Sequence, residues 1–364
     1  MHIIIFISIV NLLLLSVTYF YYRHNLPFAR GWSFALYYLF FAFNNILSRI
    51  IPETVPAIVT RWSSWLGGIW MAFAYYSMIL AFFHLLLWIG AKYMGKKLPS
   101  KNITLIGMLC IGCFITFGIM RAYNPVVRTE TITTDKLTYN ETYKIVFLSD
   151  LHLGRILGRN YSEHLVEKVN QLHPDVVLIA GDVLDEKQIY VQQDASLFPL
   201  SKLNAAKGVY MVYGNHDYLD NPSGWQSELL AHNINVLRNC SMILDKRLKI
   251  TGLEDYSKDK SSYNLRRLSS DNQKYYSIIM DHQPRRMLDA AAANYDLYLS
   301  GHTHTGQLFP NRLITKKMYL LDYGRAEFGN LTAITNNGYG FWGAPVRTEK
   351  APEIIVIELL GTRK

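Results

Sequence analysis

Lys144-Ile-Val-Phe-Leu-Ser149 is a short apolar run between polar ends, and Asp150-Leu-His-Leu-Gly154 follows it directly. Its length and composition predict a buried strand that stops where an aspartate and a histidine stand two positions apart. The same grammar repeats downstream. Asp175-Val-Val-Leu-Ile-Ala180 ends at Gly181-Asp182, and Gly208-Val-Tyr-Met-Val-Tyr213 ends at Gly214-Asn-His-Asp217. Tyr276–Met280 runs into Asp281-His282, and Leu297–Ser300 into Gly301-His-Thr-His304. Between the first two runs, Leu165, Val166, Val169 and Leu172 fall at helical spacing within Tyr161–His173, with Asn160 or Ser162 as N-cap. Glu353–Leu359 closes the chain as a further strand. Strand, helix, strand predicts an α/β domain.

Every strong polar cluster thus follows the C-terminal end of a predicted strand, the edge where ligand-binding loops of α/β sheets converge. Asp150, His152, Asp182, Asn215, His216, His282, His302 and His304 all stand there, while His164, His173 and His232 fall in predicted helices. Carboxylate, imidazole and amide oxygen, with no thiolate among them, suit two divalent metal ions, manganese first and iron or zinc as alternatives. Asp150 and His152 are two apart, as are His302 and His304, which on extended backbone points each pair the same way. Glycines 181, 214 and 301 are expected to let the chain turn sharply before the ligands. Asp182 has two oxygens and can bridge two ions. Two divalent ions, two aspartates and one bridging hydroxide leave a net charge of about +1, which attracts a phosphate.

The other part of the chain is of a different kind. The 364 residues carry a net charge of +9, but residues 1–121 hold nine Lys and Arg against one acid, Glu53. The remainder, with 28 basic and 27 acidic residues, is balanced, so a basic groove for nucleic acid is not expected. Charge-free runs at 3–22, 31–48, 62–91 and 102–120 predict about four membrane spans, near 3–22, 31–50, 65–90 and 102–120, the second being weakest because it is short and interrupted by Asn44-Asn45. Residues 1–121 are therefore read as a transmembrane region, 122–142 as a linker and 143–364 as the catalytic domain. His84 and the asparagine pair are expected to make hydrogen bonds between helices. Six basic residues in the first and third loops (Arg23, Arg30, Lys92, Lys96, Lys97, Lys101) face five on the opposite side. That slight bias predicts that the polar domain lies outside the cytoplasm on a multi-pass membrane protein. Cys110, Cys113 and Cys240 are read as packing residues rather than a metal or redox site.

At Ser149-Asp-Leu-His-Leu-Gly154, Gly181-Asp182, Gly214-Asn-His-Asp217, His282 with Pro284, and Gly301-His-Thr-His-Thr-Gly-Gln307 the sequence resembles the calcineurin-like metallophosphoesterases. It looks most like their membrane-associated bacterial branch, over about Lys144 to Leu359. The resemblance implies a four-layer α/β/β/α sandwich. It implies one metal on Asp150, His152, Asp182 and His304, and a second on Asp182, Asn215, His282 and His302. His216 would stabilise the phosphoryl group or protonate the leaving oxygen, with Asp217 orienting it. Thr305 stands where this branch commonly has glycine. Gly338-Tyr-Gly-Phe-Trp-Gly-Ala-Pro-Val-Arg347 resembles the branch's C-terminal segment. It is read either as a pocket rim with Arg347 reaching phosphate or as a turn before the last strand. Arg155 and Arg159 are read as solvated loop charges, the alternative being phosphate or headgroup contacts.

The expected function is a membrane-anchored phosphoesterase acting on phosphodiester or pyrophosphate bonds, with a lipid-linked or nucleotide-linked substrate and the bilayer as partners. The alternative is a membrane sensor or binding module that keeps the fold without turnover. A transporter is not supported, because the apolar segments hold no charged residue at their centres.

Overall fold

The computed structural model describes residues 2–52 and 54–362; Glu53 therefore lies outside the described residues, as do the side chains of residues 2–8, Asn45 and Arg49. The chain divides into two compact units.

The first unit comprises residues 1–121 together with 343–348. Its helices are α1 (His2–Asn25), α2 (Trp32–Ile50), α3 (Ala57–Tyr93) and α4 (Ser100–Ala122). Among the described residues, α3 and α4 are long and apolar enough to cross a membrane. Four spans were expected; α2 is helical but is only 19 residues long and diluted by tyrosine, tryptophan and asparagine, whereas the side chains of the first residues of the apolar helix α1 lie outside those described. Leu14, Tyr22, Tyr38, Ala42, Trp70 and Ala74 form the interior, while Leu36, Phe40, Phe82, Phe83 and Leu109 face outward. Polar groups inside are paired across helices, as Asn44 shows by donating to the Ser63 carbonyl (2.5 Å) and accepting from its hydroxyl (2.8 Å). Cys110 and Cys113 are free and exposed on α4, so they do not serve packing.

Residues 343–348 were expected within the α/β domain, yet they pack with the helices. The Arg347 amide donates to the Gly118 carbonyl (3.0 Å), and the Thr348 and Tyr76 hydroxyls are 2.6 Å apart. Arg347 is fully buried there, so the reading that places it on a pocket rim is corrected.

The second unit holds two six-stranded sheets. Its strands are β1 (Val126–Thr134), β2 (Thr142–Leu148), β3 (Val176–Ala180), β4 (Val209–Val212), β5 (Ile234–Val236), β6 (Cys240–Leu244), β7 (Leu248–Gly252), β8 (Tyr276–Met280), β9 (Leu297–Ser300), β10 (Gly324–Phe328), β11 (Leu331–Thr335) and β12 (Glu353–Gly361). The first sheet runs β1-β12-β2-β3-β4-β5 and the second β10-β11-β9-β8-β7-β6. β2 to β5 are parallel, as are β7, β8, β9 and β11. Helices α5 (Arg159–Gln171), α6 (Gln188–Gln193), α7 (Pro222–Ala231), α8 (Tyr263–Arg267), α9 (Met287–Ala292) and α10 (Arg312–Met318) complete the unit.

The layers follow from alternation. On β3 every residue is buried, because Val176, Leu178 and Ala180 enter the core between the sheets while Val177 and Ile179 pack under helices. Leu165 and Val169 of α5 and Trp225 and Leu229 of α7 cover that outer face. Leu265 of α8 and Met287 and Ala290 of α9 cover the second sheet through Ile279, Tyr298 and Leu331. Helices, sheet, sheet, helices is the sandwich that the resemblance implied.

One boundary is corrected. Residues 126–134 are no linker but an edge strand, β1, paired in parallel with β12 from Val126↔Glu353 to Thr134↔Gly361. Only Ile132 of β1 is buried, so the segment lacks the apolar run by which strands are found.

Candidate dimetal centre

Asp150 and His152 follow β2, Asp182 follows β3, Asn215 and His216 follow β4, His282 follows β8, and His302 and His304 follow β9. All eight therefore come from strand C-termini, three strands in one sheet and two in the other. Asp150, His152, Asp182, His282 and His304 are buried; Asn215, His216 and His302 are partly exposed and mark the mouth.

Two ligand clusters form. In the first, His152 Nε2 lies 3.0 Å from His304 Nε2, which is 3.4 Å from Asp150 Oδ1. In the second, His282 Nε2 lies 3.2 Å from Asp182 Oδ2 and 3.2 Å from His302 Nδ1. Donor atoms sharing one ion at about 2.1 Å are separated by roughly 3.0–3.4 Å, so these spacings fit a metal. Asp182 Oδ2 is also 3.9 Å from His152 Nε2, which sets this carboxylate against both clusters. Asn215 Oδ1 is buried with no hydrogen-bond partner, as an amide oxygen reserved for a cation would be. His152, Asp182 and His216 form a third possible grouping.

The backbone that achieves this is left-handed, not extended. Asp150 (φ 54°), His152 (φ 49°), Asp182 (φ 52°), His302 (φ 72°) and His304 (φ 46°) all have positive φ, a costly conformation held by the surrounding structure. The expectation that His302 and His304 point the same way is therefore corrected, since each joins a different cluster. Of the three glycines, Gly181 (φ +84°) makes the turn. Gly214 instead makes room, because a Cβ there would meet Asp182 Oδ1 at 2.1 Å. Thr305, in the place of glycine, also takes positive φ (53°), and its buried hydroxyl donates to Asn337 Oδ1 (2.6 Å).

Outer groups fix the imidazoles. His282 Nδ1 donates to the Ala180 carbonyl (2.7 Å), leaving Nε2 for a metal. His152 Nδ1 is 3.1 Å from Asp185 Oδ1. His216 Nδ1 donates to the Asp185 carbonyl (2.9 Å) and lies 3.4 Å from the Asp185 carboxylate. Asp185 is thus the residue that holds His216. Asp217, expected in that role, accepts instead from the amides of Asp182 (2.8 Å), Leu184 (3.0 Å) and Gly214 (2.8 Å), so it pins the loops that carry the ligands. No sequence signal separates Asp185 from its neighbour Glu186.

Other residues at the mouth were also missed. Trp342, half exposed, lies 6.3 Å from His216 between ring centres, and its amide and carbonyl are both bonded by the Gln307 side chain. Tyr319 lies 6.0 Å from His302 and carries Arg285 on its face. Arg155 is not a solvated charge; it is buried against Glu186 (3.0 Å) and Tyr190, whereas Arg159 is exposed and paired with Glu163.

Without metal the cluster is strongly polarised. Burial would raise the Asp150 carboxyl, but the imidazoles of His304, His282 and His152 hold it far below the ordinary range. Burial likewise opposes charge on His282, yet Asp182 raises it well above its usual value. His302 is pushed down to about 4 by burial and by charged His282. Burial opposes charge on His216 too, but Asp182 and then Asp185 raise it to about 10. Metal binding must therefore displace a proton from His282, because only neutral imidazole ligates. Loading at neutral pH should release at least about one proton per chain, and metal content should fall as pH drops from 7 to 4. Proton release measured by calorimetry in buffers of different ionisation enthalpy, with metal analysis across that range, checks the sign. Full content at about pH 4 would contradict an imidazole-rich ligand set.

The family model for calcineurin-like phosphoesterases matches residues 143–306. An uncharacterized metallophosphoesterase of Helicobacter pylori is 33% identical over 290 residues, covering 74% of this chain and 76% of that protein. One from Campylobacter jejuni is 28% identical over 344 residues, 90% of this chain and 91% of the relative, a span that includes the helical region. A transmembrane protein with metallophosphoesterase domain from Bos taurus is 27% identical over 296 residues, 75% of this chain and 66% of that protein. The chain belongs to the calcineurin-like metallophosphoesterase family. Membership implies a metal-dependent phosphoester hydrolase.

Proposed function

We propose that the chain is a multi-pass membrane phosphoesterase that cleaves phosphodiester or pyrophosphate bonds of a lipid-linked or nucleotide-linked substrate. The observation that carries the catalytic part is Asp182 set against two imidazole clusters, with the Asn215 oxygen unpartnered beside it. Asp150, His152, Asp182 and His304 would hold one divalent ion, and Asp182, Asn215, His282 and His302 the other, manganese being the first choice. Such ions lower the pKa of a bound water and neutralise charge on the phosphoryl group.

The chain's own groups do the rest. The His216 amide donates to Asp182 Oδ1 (2.8 Å) and fixes that carboxylate's rotation. With Nδ1 held by Asp185, His216 keeps Nε2 for the leaving oxygen, to which it donates a proton. Trp342, pinned through its backbone, offers a ring face beside that leaving group.

The membrane part of the proposal is supported by four long helices with outward-facing apolar side chains. Confinement to a bilayer raises the effective concentration of a lipid-borne substrate. The loop charges favour an inner membrane with the catalytic domain outside the cytoplasm.

Full-length protein in detergent should hydrolyse bis(p-nitrophenyl) phosphate after manganese loading, lose turnover on chelation and regain it on reloading. Ions that bind stoichiometrically with no turnover on any phosphodiester or pyrophosphate would support the sensor instead.

A further inference from the structure

A cavity of about 290 Å³ in the helical unit is lined by Tyr21, His24 and Asn25 of α1, His84 and Trp88 of α3, and Ser100 of α4, with Ala81 and Leu85 on its apolar side. The three helix ends that meet here are the C-termini of α1 and α3 and the N-terminus of α4. His84 is 5% exposed, and no step proposed for the catalytic domain uses it.

Its hydrogen bonding is one-sided. Nδ1 lies 2.9 Å from the Tyr21 hydroxyl, which lies 3.1 Å from the Thr104 hydroxyl, and Nε2 has no partner among the described residues. In the sense Thr104 to Tyr21 to His84, this chain leaves the imidazole proton on Nε2. The cavity then presents an N–H of a largely buried imidazole with nothing among the described residues to receive it.

Charge decides what fits. Arg23, Arg30, Lys92, Lys96, Lys97 and Lys101 are all exposed, on these helix ends or on the segments next to them, and residues 1–121 hold no acid but Glu53, which follows α2 in sequence. Lys92 lies over the Trp88 ring at 5.1 Å, an interfacial arrangement of cation and indole. A cationic ligand would find no counter-charge here; an anion finds the His84 N–H and six cations. Leu85 and Ala81 lie about one and two turns before Trp88 on α3, so an apolar wall continues from the polar end.

We propose that this cavity binds the phosphate-bearing headgroup of an anionic membrane phospholipid, its acyl chain running along Leu85 and Ala81. The inference rests on the membrane reading above and is separate from the metal centre.

The test uses lipid-depleted full-length protein in detergent, with dioleoyl phosphatidylglycerol, dioleoyl phosphatidylcholine and inorganic phosphate as probes. Native mass spectrometry should show the glycerol lipid retained at least about tenfold better than the choline lipid, and no retention of inorganic phosphate. His24→Glu, a change at an exposed side chain, should abolish that preference while phosphodiester turnover stays at wild type. His84→Gln should weaken it in the same direction. Equal retention of both lipids, a preference unchanged by His24→Glu, or competition by inorganic phosphate would overturn the assignment. Alkaline carbonate extraction separates the two claims. Wild-type chain released from membranes would sink the membrane reading itself; chain retained in membranes without lipid preference would sink only this inference.

Discussion

His216→Ala is expected to keep its metal and lose on the order of 10²–10⁴-fold in turnover, the range of a positioned proton-transfer group. The imidazole is anchored through Nδ1 by Asp185 and stands edge-on to His152 at 4.8 Å between ring centres. Its partial exposure at the mouth suits a group that meets substrate. Asp182 and Asp185 raise its pKa in the metal-free protein, and cations bound to Asp182 would lower it again towards working pH. The same spacing also allows His216 to ligate with His152 and Asp182. Metal analysis and single-turnover hydrolysis on one preparation decide between these roles. Metal lost together with activity makes His216 a ligand; wild-type turnover removes it from the chemistry altogether.

Asp182→Ala is expected to empty at least one site. No other carboxylate touches both imidazole clusters among the described residues, and the same side chain accepts the His216 amide. Losing an ion forfeits several kcal/mol of charge stabilisation. At 1.36 kcal/mol per tenfold, hydrolysis should fall by about 10²–10³-fold or more. Asp182→Asn keeps the shape and an oxygen but removes the charge, and should retain more metal than the alanine variant. Two ions bound per chain in Asp182→Ala, measured by inductively coupled plasma spectrometry, would end the bridging assignment.

The strands that carry ligands could be read from sequence because each is buried on both faces. β3 and β4 appear as unbroken apolar runs and β2, β8 and β9 as largely apolar ones, and their ligands follow within a few residues. β1, β6 and β10 lie at sheet edges with mostly exposed or half-exposed residues, so no such run marks them. Ligand identity was legible because imidazole and carboxylate gather at strand ends. Ligand direction was not, since a two-residue spacing reports orientation only on extended backbone, and these residues are left-handed. The Asp185 and Asp217 roles depend on which loop folds over which, a tertiary fact with no local signature.

β12 lies between β1 and β2, antiparallel to one and parallel to the other. The strand synthesised last of the twelve is therefore the one that joins the first two. Until it emerges, β1 has no partner and one edge of β2 is bare, and more than two hundred residues separate β2 from β12. Loop closure over that distance makes the step intrinsically late, and exposed strand edges invite pairing with other chains meanwhile. Biogenesis of this sheet is thus a race between arrival of β12 and capture of an open edge, with the weakly apolar composition of β1 limiting what capture can gain.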